Sequence, residues 1–195
     1  MRLLGKAAFP AALFTALAVV VANATSIRRM SIGEIGRRAD IIVVGTVAGI
    51  TPRLATAPGG KTRIFTDYDL VDIATWKGSV DTRNLVVSIA GGTLHGRTLG
   101  VEGAPVLVEG RRYLLFLGAK EPLCPILGWG QGLFPLQEGP GGSLFVLNGD
   151  GLPVTSAAGG EIATGGPAMR LEEFLADLDR AGVRAAPRAS REKPR

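Results

Sequence analysis

Three aspartates fall within the seven residues "TDYDLVD" at positions 66–72, and paired carboxylates are what acid–base hydrolysis requires. On an extended chain Asp67 and Asp69 share a face, about 7 Å apart from Cα to Cα. That pair is the one set of residues from which a carboxylate-dependent hydrolase would be built. The competing reading is structural, because charges on the outward half of a strand keep it soluble. His95 is the sole histidine and lies in the loop "TLHGRT", with no other ligands at metal-site spacing. Neither a metal nor another cofactor is therefore expected. Cys124 stands between Leu123 and Pro125 in an apolar run and reads as a buried, inert thiol. Being alone, it excludes an intramolecular disulfide. "GWGQG", residues 128–132, shares only letters with a nucleotide-binding loop. It runs into Leu133-Phe134-Pro135, not into a helix that would present free N–H groups to a phosphate.

The aspartates sit inside "RIFTDYDLVDIATWKGS", residues 63–79, whose β-branched content and closing Lys77-Gly78-Ser79 favour a strand. Strict alternation puts Ile64, Tyr68, Leu70, Ala74 and Trp76 on one face. Phe65, Asp67, Asp69, Val71, Ile73 and Thr75 take the other, acidic at first and apolar later. About thirteen residues at ~3.3 Å each would reach roughly 40 Å, more than twice an average strand. A strand that changes its buried face halfway along belongs in a small closed barrel. Further strands are expected at 40–50, with Gly45 marking a bulge or a close backbone approach, and at 84–92 and 111–118. Pro52 and "APGG" (57–60) mark a loop, and 123–136 reads as an edge-like strand broken by Pro125 and glycines. Residues 143–154 form a hairpin around Asn148-Gly149-Asp150-Gly151.

Two helices flank the strands. Ser31 and Glu34 fit a capping box, and Met30 and Ile35 a hydrophobic staple. Gly33 and Gly36 weaken that helix, so it should be short and end near Ala39. In "RLEEFLADLDRAG", Leu171, Phe174, Leu175 and Leu178 make one apolar stripe, stopped by Gly182. No helix alternates with the strands, which argues against a parallel α/β sheet and for an antiparallel all-β barrel or sandwich.

The first 24 residues read as a signal peptide. Arg2 and Lys6 precede an apolar run, and Ala22-Asn23-Ala24 offers cleavage before Thr25. The expected location is therefore exported, periplasmic or extracellular, with no stable membrane insertion afterwards. Of the formal +5, Arg2 and Lys6 carry +2, and Arg184–Arg195 carries +4 from five basic side chains and one acidic. Thr25–Val183 is thus left near neutrality at −1. Basicity resides in a tail at 183–195, expected to be disordered and solubilising, and nucleic acid is not an expected partner. Residues 25–182 remain as one domain: an N-terminal segment and helix (25–40), a barrel (41–136), the hairpin and the final helix (169–182).

"TSIRRMSIGEIGRRADIIVVGTV", "RIFTDYDLVDIATWKGS", "GGTLHGRTLGVEGAPVLVEGRRYLLFLG" and "GQGLFPL" resemble a group of uncharacterised exported bacterial proteins. The strand order also resembles, more distantly, the netrin-like OB barrel of the tissue inhibitors of metalloproteinases. The resemblance implies a mainly β, OB-like antiparallel closed barrel with a short N-terminal helix and a C-terminal amphipathic helix. It also implies a non-catalytic protein-binding module, inhibitor-like or protease-associated, with an exported metalloprotease as the partner class. The family's zinc-chelating N-terminal cysteine has no counterpart, since Thr25 would begin the mature chain. Candidate partner-binding residues are Thr25, Ser26 and Ile27 at that end and Thr93, Leu94 and His95 in the glycine-rich connection. The alternative is the hydrolase built on Asp67 and Asp69.

Overall fold

Half of the expected capping box forms: the Ser31 hydroxyl accepts a hydrogen bond from the Glu34 N–H (3.1 Å) and starts helix α1, Ile32–Arg38, whereas the Glu34 carboxylate pairs with Arg28 and Arg38 and not with the Ser31 N–H. These positions belong to a computed structural model that describes residues 28–57, 59–80 and 83–183. The expected signal peptide with Ala22 and Ala24, the end Thr25-Ser26-Ile27, and residues 184–195 lie outside the described residues. The strands are β1 (Ile41–Thr56), β2 (Thr62–Lys77), β3 (Leu85–Ala90), β4 (Gly92–Leu94), β5 (Arg97–Leu99), β6 (Arg112–Leu117), β7 (Leu133–Glu138), β8 (Leu144–Val146), β9 (Val154–Ser156) and β10 (Ala163–Thr164). Helix α2 spans Leu171–Arg180.

The protein is mainly β, and its principal sheet is antiparallel and six-stranded, in the order β3-β2-β1-β6-β7-β8. This corrects the closed barrel: β3 and β8 are the two ends of an open sheet and do not pair. Each end is engaged elsewhere. The Ala90 N–H donates to the Leu123 carbonyl (2.7 Å), and β8 bridges Arg170 through Phe145.

Both faces are buried at the centre of the sheet, which explains runs such as "IIVV" and "YLLFL", while the outer half of β1 is exposed. On one face Ile42, Val44, Leu114, Phe116, Phe134 and Val146 meet α1 and α2, where Phe174 packs against Phe134 at 5.2 Å between ring centroids. On the other, Val43, Val47, Tyr68, Leu70, Val87 and Leu115 pack with Leu107, Cys124 and Ile126 from connecting segments.

The long strand is real, and a bulge resolves its two half-matching faces. Val44 pairs with Ala74 but Thr46 with Val71, so β2 carries one extra residue opposite Gly45. Asp72 takes it up at φ +52. Beyond it the alternation reverses: Ile73 packs with Leu70, and Trp76 joins the helix-covered face. The single-face grouping of Leu70 with Trp76 is thereby corrected.

Other boundaries move for local reasons. Pro52 is inside β1, where the strand pairs only with β2 and the missing N–H leaves no ladder bond unmade on its free side. The 123–136 segment is strand only from Leu133, because Gly128 and Trp129 adopt left-handed conformations. β7 lies between β6 and β8 and is not an edge. The hairpin turn at 148–151 forms, with Asn148 Oδ1 accepting from Asp150 N (3.0 Å) and Leu152 N (2.8 Å), yet β8 joins the large sheet while β9 pairs with β10. Val183, assigned to the tail, is 1% exposed and belongs to the core.

The glycines that weaken α1 are points of close approach. A Cβ on Gly36 would lie 2.7 Å from a Val183 methyl, and one on Gly33 3.2 Å from the Gly160 Cα. Lys77 then locks β2 onto the same helix, and Gly78 packs on Asp40 and Ile41 just beyond it. Lys77 Nζ donates to the carbonyls of Gly36 (2.9 Å) and Arg37 (3.2 Å), which a helix end leaves unpaired. Burial lowers the Lys77 pKa against the opposing pull of Asp40.

Candidate functional site

The chain enters the fold through Arg28–Met30, which has no regular structure. The Arg28 side chain pairs with Glu34 and Arg38 donates to the Met30 sulfur, while the backbone of the segment is pinned by Gln131. Gln131 accepts from the Met30 N–H (2.8 Å) and donates to the carbonyls of Arg28 (3.0 Å) and Gly128 (3.2 Å). Gln131 can do this because the turn before it is left-handed throughout: Gly128, Trp129 and Gly130 have φ of +66, +55 and +108. For a bulky residue such as Trp129 that conformation costs on the order of 1–3 kcal/mol and persists only where its surroundings impose it.

The pinned segment and this turn form two walls of a cleft of about 860 Å³. Arg29–Ile32 and Trp129–Gln131 line it together with Pro105, Val106, the turn Asn148–Asp150, and Glu161 with Ile162. Val106 is 77% exposed, the highest value among the large apolar side chains described as exposed. Arg29, Asp150 and Glu161 bring one positive and two negative charges to the cleft, and none of their side chains has a partner among the described residues. "GWGQG" thus serves as a wall and a clamp. Its signal in the sequence was the spacing of three glycines around one Trp and one Gln, which fits left-handed backbone better than strand.

Asp67 and Asp69 lie elsewhere, on β2 opposite Ser88 and Val86 of β3. Asp67 is fully engaged: Arg53 Nε donates to Oδ2 at 2.5 Å, the Ser88 hydroxyl donates to Oδ1, and Arg53 also reaches Ser88 at 3.0 Å. Burial pushes the Asp67 pKa up, but the two hydrogen bonds and the Arg53 charge outweigh it and hold the carboxyl below its usual value. An ionised carboxylate clamping three strands is what this arrangement makes.

Thr93, Leu94 and His95 are brought together on the β4–β5 hairpin. His95 (φ +49) and Gly96 (φ +74) form its two-residue turn, as a hairpin of right-handed twist prefers. Thr93 and Thr98 share a hydroxyl hydrogen bond of 2.9 Å across it. The hairpin departs from β3 at Gly92, where a Cβ would lie 2.2 Å from Thr66 Oγ1. None of Thr93, Leu94 or His95 lines the large cleft. A second, largely apolar hollow of about 380 Å³ under the 91–106 connection is bounded by Thr66, Tyr68, Ile89 and Val101, and shares Pro105 and Val106 with the first. Cys124 is 4% exposed, and burial pushes its thiol pKa up to about 11.

Among the described residues no cluster of His, Cys, Asp and Glu is placed to hold a metal ion, and no helix is long and apolar enough to cross a membrane. Comparison with protein-family models, curated proteins and solved structures found no match to this chain.

Proposed function

We propose that this chain is an exported, non-catalytic protein-binding module whose partner docks in the 860 Å³ cleft. One observation carries the reading: the entering segment, a strained tryptophan turn and an exposed Val106 converge on a concave surface of mixed polarity. Buried tryptophans ringed by polar groups are the usual anchors of protein interfaces. The class of partner comes from the sequence resemblance to the netrin-type OB barrel, which points to an exported protease, metalloproteases included. Export rests on the sequence of residues 1–24. The clamped, ionised Asp67 favours a structural role for the aspartate pair over the hydrolase alternative.

The test places a photo-crosslinking residue at Val106, at Gly149 and, as a control, at the exposed Glu172 of α2. One partner captured from the exported fraction at the first two sites, and not at Glu172, is the expected outcome. Trp129→Ala should then weaken that partner's binding at least about 30-fold, the hot-spot threshold of about 2 kcal/mol. Capture independent of position, or a Trp129→Ala variant that binds as wild type, would refute the reading.

A further inference from the structure

The cleft has a candidate occupant in the chain itself. α2 ends at Arg180, and the chain continues through Gly182 (φ +81) to Val183, whose N–H donates to the Leu178 carbonyl (2.9 Å) and whose side chain is buried against Gly36. That exit point abuts the acidic wall. A Cβ on Gly160 would lie 3.1 Å from the Gly33 Cα and 3.8 Å from the Ala181 Cβ, and the next residue, Glu161, lines the cleft. Arg37 Nη1 reinforces the junction by donating to the Ala181 carbonyl at 3.2 Å. Residues 184–195, "RAAPRASREKPR", start one residue beyond Val183 and carry a net charge of +4, whereas Thr25–Val183 carries −1. Twelve residues can span up to ~40 Å, so reach does not limit them.

We propose that residues 184–195 dock in cis in this cleft, their basic side chains opposite Asp150 and Glu161 and Pro187 or an arginine against Trp129. The chemistry fits at each point. Asp150 and Glu161 have no partner among the described residues. An indole face attracts guanidinium and ammonium groups, and aromatic grooves accept extended proline-containing segments. A tether this short supplies a millimolar effective concentration, so weak contacts suffice for substantial occupancy. The inference builds on the cleft as a protein-binding site and adds regulation to it: the tail competes with the partner, and the partner must displace it.

Trp129 is its own reporter. The chain has two tryptophans, so Trp76→Phe leaves Trp129 as the only one. Acrylamide quenching is compared between the full chain and a chain ending at Val183, which retains every core residue described. Removing the tail should raise the quenching constant about twofold, given the occupancy a short tether enforces. A synthetic peptide of residues 184–195 added to the shortened chain should reverse the change. Asp150→Asn with Glu161→Gln in the full chain should reproduce the shortened form, and 1 M salt should act in the same direction. Equal quenching in both chains overturns the proposal, as does protection that survives the double charge removal. Protection that rises with protein concentration also overturns it, because it places the tail in a second copy. Running the Val106 crosslinker on both chains separates the two readings. Capture with unchanged quenching removes only the tail contact, whereas changed quenching without capture removes only the partner.

Discussion

Gly78 closes the end of β2 against Asp40 and Ile41, the link between α1 and β1, and replacing it by alanine probes that junction at its tightest point. The residue has φ +79, and a Cβ there would lie 2.4 Å from the Asp40 carbonyl oxygen, a backbone atom that cannot rotate away. An L-residue in the left-handed region costs roughly 1–2 kcal/mol. Displacing packed backbone adds about 1–3 kcal/mol, since Lys77 is simultaneously held by the Gly36 and Arg37 carbonyls. Gly78→Ala should therefore cost about 2–5 kcal/mol, a large share of the roughly 5–15 kcal/mol available to a domain. Gly110 supplies the control, because its φ is +76 and nothing lies within 4 Å of its would-be Cβ. Gly110→Ala should show the conformational cost alone, about 1–2 kcal/mol. Urea unfolding followed by circular dichroism measures both, with an unchanged slope confirming a comparable denatured state. Equal losses for the two variants would refute the steric argument, as would a Gly78→Ala loss below about 1 kcal/mol.

The remaining predictions concern other contacts. Gly36→Ala gains about 1 kcal/mol of helix propensity but drives a Cβ to 2.7 Å from Val183, so a net loss of roughly 1–2 kcal/mol is expected in thermal or urea unfolding. In a Val183→Ala background that loss should vanish, and strict additivity of the two changes would count against the contact. Asp67 has a folded pKa below its usual value, so its contribution is complete above pH ~4 and is lost as pH falls through the depressed value. With Arg53 45% exposed, solvent screening limits that contribution to about 0.5–1 kcal/mol, and Asp67→Asn should flatten the acid limb of the stability profile by that amount. Cys124, with its pKa raised to about 11 by burial, should resist a thiol reagent at pH 8 and react promptly in urea. Rapid stoichiometric labelling of the native protein would contradict its burial.

Local chemistry was legible wherever neighbouring residues settle it. Ser31 caps α1, Asn148 organises its turn, and the stripe Leu171-Phe174-Leu178 builds α2, each within a few residues. The two-faced character of β2 was also visible. Its cause was not, because the bulge at Asp72 exists only relative to Gly45 on a strand about 27 residues away in register. The cleft was missed for the same reason. Arg29, Val106, Trp129, Asp150 and Glu161 are scattered along the chain, and the candidates at Thr93, Leu94 and His95 were chosen from a loop's composition.

By itself the sequence determined the β-rich class, the two short helices, the separation of a near-neutral body from a basic tail, and the solitary status of Cys124 and His95. These follow from periodicity, capping residues and counting, which are properties of short segments. Only the tertiary structure decided that the sheet stays open, that Asp67 is clamped by Arg53 and Ser88, and that Lys77 caps a helix it does not belong to. Each of those depends on which distant segments meet, and that is set by the joint burial of two apolar sheet faces, not by any stretch of sequence alone.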